Sequence, residues 1–545
     1  MVTPSYITGL SPRLKGGVPM HSESKPFLAL LVLLLCAVVA PSLASGEGIK
    51  PSGTAAVKAT AKEDCPEKGE KKLTAAIDGK NMAYTVKTGL TPILDKDAGE
   101  TAYIFSASYI LDGGPRERPV MFLFNGGPGS SSAFLQVCAF APMTVPGINH
   151  GLEMAAPPYK LQANPHSLLD VADMVFIDPV GTGYSRMAKP DKEGKEGEKK
   201  EPVKMDAYLG VQGDLESMVE FVRMWLTEND RWGAEIYLAG ESYGGLRAAG
   251  MAGIMGQQIG VAPSGIVLIS PALSYQDTTS GLDNNVTPFV NRIPSMAAAA
   301  QYHKRLGGAL KNLSRDEVVE RAVRWAAERF EPALRKGNRL ERGERETLLR
   351  ELSEFTGIPV RELDAQDMRM EASEFSAQLL RDEKKFVSIY DARVTAPGSA
   401  WSMDEDPMSN IVGEPCRTAF MRFLTETVGI RPKRPYLFTS FEIIQTWDFT
   451  LGNKGREGFV STNVFLAKAM RRLPFMRVYL AMGRFDLVTP PESALSSLSR
   501  MDVPEGLLER NLTSRYYEGG HMMYTNPEAL KALSNDLRVW ISGKK

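Results

Sequence analysis

The stretch Gly240-Glu241-Ser242-Tyr243-Gly244-Gly245 limits what this chain can fold into more than any other. The apolar run Ile236-Tyr237-Leu238-Ala239 leads into it, and the small-residue run Leu246 to Gly253 leads out. The pattern predicts a strand, a sharp turn and a helix, the setting in which a G-x-S-x-G serine is lifted above a sheet edge. The turn is tight and its neighbours come close, which is why glycine stands on both sides. The helix points its positive end at the serine hydroxyl. A plain glycine-rich turn reads the same way locally, so the partners found elsewhere decide the matter.

The flanking pattern repeats along the chain. Met82 to Val86 and Thr101 to Leu111 read as strands, with Asp95 to Gly99 as the turn between them. Pro119 to Phe124 is an apolar strand running into Asn125-Gly126-Gly127-Pro128-Gly129-Ser130-Ser131-Ser132, and Met174 to Ile177 runs into Asp178-Pro179-Val180-Gly181-Thr182-Gly183-Tyr184-Ser185. Gly210 to Leu226 is helical, and Ile266 to Ser270 is a strand ended by Pro271. Alternation of this kind predicts an α/β fold, a mostly parallel central sheet with helices on both faces. From about Tyr275 to Arg434 the pattern turns helical. Ser314 to Glu317 is a capping box, and Leu348, Leu349, Leu352 and Phe355 recur at helical spacing before Gly357. The sheet resumes with Met476 to Met482 and ends with Arg515 to Tyr517, and Pro527 opens a closing helix. The expected organisation is therefore residues 72–274 as the first part of the core, 275–434 as an inserted, mainly helical cap, and 435–545 as the second part.

The N-terminus stands apart. Phe27 to Ala40 is continuously apolar, follows Arg13, Lys15 and Lys25, and precedes Ser42-Leu43-Ala44. Residues 1–45 thus read as a secretory signal peptide, with Met20 as an alternative start, and 46–71 as a flexible leader. The run is short for a membrane span, which argues against an uncleaved anchor and for an exported protein, periplasmic, extracellular or within a secretory compartment. Past that segment three cysteines remain, Cys65, Cys138 and Cys416, enough for one bridge and without metal-site spacing. The net charge of −1 gives no reason to expect a nucleic-acid partner. The Lys/Glu/Gly-rich segment from Lys189 to Lys204 reads as a solvated loop. Asn285, Asn312 and Asn511 each open a glycan-acceptor tripeptide.

A serine hydroxyl is a poor nucleophile until a base takes its proton, and that base is usually a histidine held by a carboxylate. In α/β-hydrolases the chain order is Ser, acid, His. Only His303 and His521 follow Ser242. His303 lies in the helical insertion, whereas His521 follows the last strand after Gly519 and Gly520. Asp486 comes directly off a strand end, where ligand chemistry gathers in open α/β sheets, and is preferred to Asp448. Ser242, Asp486 and His521 are the expected triad. The amides of Gly127 and Tyr243 are the expected oxyanion donors. Neither a metal nor an organic cofactor is required.

Taken together, the Asn125–Ser131, Asp178–Ser185 and Gly240–Gly245 blocks, Asp486 and Gly519-Gly520-His521 resemble the serine carboxypeptidases, peptidase family S10, from about Tyr84 to the C-terminus. The resemblance implies an α/β-hydrolase fold and release of C-terminal residues, at acidic pH, from peptides with a free C-terminus. It implies that Asn125, Gly126 and Glu241 bind the substrate, with Asn125 and Glu241 gripping its terminal carboxylate. A glutamate donates a hydrogen bond to a carboxylate only while protonated, which agrees with acidic pH. The chain departs from the family pattern at Leu123, where tryptophan is usual, at Ala139, in the place of a second glutamate, and at Ser130, where cysteine is usual. The Leu123 and Ala139 departures motivate a second reading, an esterase or acyltransferase on the same triad. A catalytically inactive binding protein is the third.

Overall fold

A computed structural model describes residues 67–145, 152–153, 156–189, 203–280, 284–398, 406–450 and 460–543. The signal-peptide reading, most of the leader, Cys65 and most of the Lys/Glu/Gly-rich loop lie outside the described residues. Among the described residues no helix is long and apolar enough to cross a membrane.

The strands are β1 (Gly69–Ile77), β2 (Lys80–Leu94), β3 (Glu100–Leu111), β4 (Val120–Phe124), β5 (Met143–Thr144), β6 (Gln162–Ala163) and β7 (Asp173–Ile177). They continue with β8 (Arg186–Met187), β9 (Ile236–Glu241), β10 (Gly265–Ile269), β11 (Lys385–Val387), β12 (Thr395–Pro397), β13 (Arg477–Gly483) and β14 (Leu512–Tyr517). One sheet has the order β1-β2-β3-β7-β4-β9-β10-β13-β14, with β8 beside β3. From β7 to β14 every neighbouring pair is parallel, and β1, β2 and β3 add an antiparallel flank. The central strands β4, β7 and β10 are buried at every position, as strands covered on both faces must be.

Two apolar layers sandwich the sheet. On one face Phe122, Phe124, Leu238 and Leu268 pack with the helices Val211–Glu228 and Tyr243–Gln258. On the other, Met121, Leu123, Ala239 and Val267 share a core with the C-terminal helix Pro527–Ser542 and with helices inserted between β10 and β13. The capping box is formed: Ser314 and Glu317 cap the helix Arg315–Trp325 reciprocally.

One reading is corrected. Gly69 to Lys71, assigned to the leader, pair with Val86 to Thr88 as the start of β1. Alternation of Leu73, Ala75 and Ile77 carries that strand, but its Lys/Glu-rich start masks the period. The stretch after Tyr275 also holds a hairpin, β11 and β12, within its helices.

Candidate active site

The site is built where the parallel strands end. β9 delivers Glu241, and Ser242 follows with φ 59° and ψ −125°, a left-handed conformation that costs a non-glycine residue energy. The surroundings hold it there: the Ser242 N–H donates to Ile269 at 3.0 Å, and its carbonyl accepts from Gly245 at 2.9 Å and Ala272 at 3.0 Å. Gly240 is required because a Cβ there would stand 1.9 Å from the Gly244 carbonyl oxygen. Tyr243 opens the following helix, so its N–H has no acceptor within that helix.

The glycine loop after β4 lies against this turn. A Cβ on Gly126 would fall 2.6 Å from the Tyr243 nitrogen and 2.9 Å from Ser242 Cβ. Gly127 follows with φ +107°. The loop that carries Gly126 and Gly127 is thereby brought beside Ser242 and the Tyr243 amide, as an oxyanion hole needs.

Asp486 and His521 come from the loops after β13 and β14. Imidazole Nδ1 of His521 is 2.8 Å from Asp486 Oδ2. Oδ1 of the carboxylate accepts from the Val488 and Thr489 amides at 2.8 and 2.9 Å. Thr489 Oγ1 is 2.7 Å from Asp486 Oδ2 and 2.9 Å from the Ser270 carbonyl, so it ties the acid to the end of β10. Both Asp486 and His521 are buried. Burial depresses the imidazole's pKa, but Asp486, and then Glu241, outweigh it and hold the group above the ordinary histidine value.

The hairpin's connecting loop buttresses both of these loops. The His521 N–H donates to the Tyr390 carbonyl at 2.6 Å, and the Tyr390 ring lies 5.6 Å from the imidazole. Leu487 N–H donates to Ile389, and Ala392 N–H to Phe485. His303, the other candidate base, sits elsewhere, with Nε2 2.7 Å from the Ala392 carbonyl. Asp448 is engaged with its own surroundings: its N–H donates to Leu209, and its side chain accepts from Thr450.

Beside Ser242, Asn125 Nδ2 donates to Glu241 Oε2 at 3.1 Å, and Asn125 Oδ1 accepts from Leu135 at 3.1 Å. Tyr524, which the sequence reading did not single out, donates to the same Glu241 oxygen at 2.5 Å. Burial raises the Glu241 pKa to about 7, against the lowering effects of His521, Tyr524 and Asn125. Arg247 was missed as well. Fully buried, it pairs with Asp214 at 2.8 Å and donates to the Asn125 carbonyl at 2.8 Å. A lone cation in the small-residue run after the elbow was the available signal. Cys138 and Cys416 are bridged, joining the turn Gln136–Phe140 to the helix Pro407–Arg422. Among the described residues no group of three or more His, Cys, Asp or Glu is placed to hold a metal ion.

Comparison with known proteins adds the lineage. Residues 80–259 match the family model described as serine carboxypeptidase, Peptidase_S10. Serine carboxypeptidase-like 36 of Arabidopsis thaliana is 28% identical over 256 residues, 46% of this chain and 48% of that protein. Serine carboxypeptidase-like 5 of the same plant is 25% identical over 248 residues, 44% of this chain and 50% of that protein. The chain thus spans about half the length of the curated relatives it matches. A prohormone-processing carboxypeptidase from Saccharomyces cerevisiae superposes with a TM-score of 0.49 at 15% identity, covering 84% of this chain and 91% of that one. The matched segment carries the glycine loop, Glu241 and Ser242, and over it the chain is similar to the serine carboxypeptidases.

Proposed function

We propose that the protein is an exported serine carboxypeptidase that removes C-terminal residues from peptides through an acyl-enzyme. The observation that carries the reading is the Asn125–Glu241–Tyr524 cluster beside a serine held at positive φ. Ser242 attacks the scissile carbonyl, and His521 Nε2 takes its proton. Asp486 holds the tautomer with hydrogen on Nδ1. The oxyanion forms against the Gly127 and Tyr243 amides. Water then releases the acyl group by the same steps.

The pH behaviour follows from two charges that share one corner. His521 acts as base only when neutral, and Glu241 donates to a substrate carboxylate only when protonated. Left alone, the pair also has the arrangement His521⁺ with Glu241⁻, because each charge stabilises the other. An incoming carboxylate places a second negative charge beside Glu241 and favours its protonated form. Neutralising Glu241 removes one of the charges that holds the imidazole proton. Substrate binding therefore prepares the base. Activity on free-acid peptides falls as pH rises through about 7, the Glu241 value. The apolar run Phe27–Ala40 and the Cys138–Cys416 bridge support an oxidising, exported setting.

The test compares a blocked dipeptide with its C-terminal amide and an ester across pH, with Ser242→Ala as control. Hydrolysis that prefers the free acid at acidic pH and vanishes in the variant is expected. Turnover undiminished in Ser242→Ala would refute the nucleophile. Equal rates on all three substrates would favour the esterase or acyltransferase reading, which the methyl of Ala139 in the place of an acid supports.

A further inference from the structure

Glu241 Oε2 receives two donors from distant parts of the chain. Asn125 Nδ2 comes from the glycine loop, and the Tyr524 hydroxyl comes from the turn Met523–Thr525, just past His521. All three side chains are buried. The Asn125 amide cannot turn over without losing its bond from Leu135. With both donors on Oε2, the proton of a neutral Glu241 belongs on Oε1, which neither donor engages. The turn that carries Tyr524 packs against Gln136–Phe140, where Ala139 offers only a methyl group. No side chain of residue 139 can therefore share the work of orienting Glu241.

We propose that Tyr524 is a positioning and specificity residue: its hydroxyl turns Glu241 so that Oε1–H meets a substrate's terminal carboxylate, and it sets the pH at which that donor is lost. The inference rests on the reading of Glu241 as the carboxylate grip. A phenol O–H donates more strongly to an ionised carboxylate than to a neutral acid. Tyr524 therefore favours ionisation, and removing its hydroxyl moves the ionisation of Glu241 to higher pH. The other groups that face Glu241 are His521, whose charge also favours ionisation, Asp486, which opposes it, and the amide of Asn125. Arg247 reaches the cluster only through the Asn125 carbonyl and is itself paired with Asp214.

Binding separates this inference from turnover. On a Ser242→Ala background, calorimetry measures a blocked dipeptide and its C-terminal amide across pH, with and without Tyr524→Phe. The free acid is expected to bind more tightly than the amide at low pH and to lose that advantage towards neutrality. Tyr524→Phe should move the midpoint of that loss upward by about one pH unit and leave affinity for the amide within about twofold. Adding Glu241→Gln should remove both the midpoint and any effect of Tyr524→Phe on it. An unmoved midpoint, equal weakening of acid and amide, a shift that survives Glu241→Gln, or no preference for the acid at any pH would each overturn the proposal. A thermal melt of each variant identifies a collapsed fold, for which Tyr524→Leu, which also lacks the donor, gives the same midpoint readout. Fluorophosphonate labelling of the unsubstituted protein reports on Ser242 alone. If labelling fails while the midpoint still shifts, the hydrolase reading falls and the carboxylate grip stands.

Discussion

A methyl group on Gly126 would stand 2.6 Å from the backbone nitrogen of Tyr243. The two backbones proposed to form the oxyanion hole are in contact, with no room for a side chain between them. Gly126→Ala must push the loop that carries the Gly127 amide away from Ser242. The expected result is a fold that survives with kcat lowered by about 10²-fold or more, the size of losing one such donor. Steady-state kinetics with a melting curve checks it, and near-normal kcat would show that the loop is not part of the hole.

His521 Nδ1 lies 2.8 Å from Asp486 Oδ2, and the same oxygen accepts from Thr489 Oγ1 at 2.7 Å. Asp486→Asn should lower kcat by about 10⁴-fold with little change in KM, because an amide donates where the imidazole N–H needs an acceptor. Thr489→Val should cost far less, about tenfold, since the Val488 and Thr489 amides still hold the carboxylate. If the two variants lost equal activity, the acid would be misassigned.

Three buried carboxyls give the fold its own pH dependence. Burial raises Asp178 and Glu241 to about 7 and Asp406 to about 6. Each folded value exceeds the ordinary one, so the folded state holds more protons than the unfolded chain. Their contribution is complete below about pH 4 and is lost as pH rises through 6 to 7, at up to about 1.4 kcal/mol per pH unit for each group. The melting temperature should fall over that window. Asp178, held by the Ser132 amide and the Tyr436 hydroxyl, should contribute through its own titration. Asp178→Asn is expected to flatten the slope, and an unchanged slope would count against it.

Arg247 and Asp214 form an ion pair shut away from water. Arg247→Met leaves Asp214 charged and unpaired and should cost about 3–5 kcal/mol in denaturant unfolding. Adding Asp214→Leu should restore much of that loss. Activity should stay low in the double variant, because the Asn125 carbonyl has still lost its anchor. Recovery of both together would make Arg247 a purely structural residue.

Glu241→Gln keeps a donor that cannot ionise. Its amide oxygen can accept from Asn125 and Tyr524 while its nitrogen faces the ligand. Hydrolysis of free-acid peptides should then persist above pH 7, where the unsubstituted protein loses it. A pH–rate profile reads this directly, and the same descending limb in both proteins would place the titrating group elsewhere.

The turn at Ser242, the strands that lead to Asp486 and His521, and the capping box at Ser314 were legible because their signals are local. Glycine spacing, apolar period and cap chemistry act over a few residues. The chain order of serine, acid and base left His303 and His521, and the place after the last strand favoured His521. Strand β1 was not legible, since its Lys/Glu-rich start is extended only by pairing with β2. Nor was the loop that supports His521 through the Tyr390 carbonyl, because its place depends on how the insertion docks. Tyr524 and Glu241 lie 283 positions apart, and Cys138 and Cys416 are separated by 278. Such contacts leave no periodic trace along the chain. They exist only after the sheet and its insertion have closed around one rim, where burial requires each polar group to find its partners within the fold.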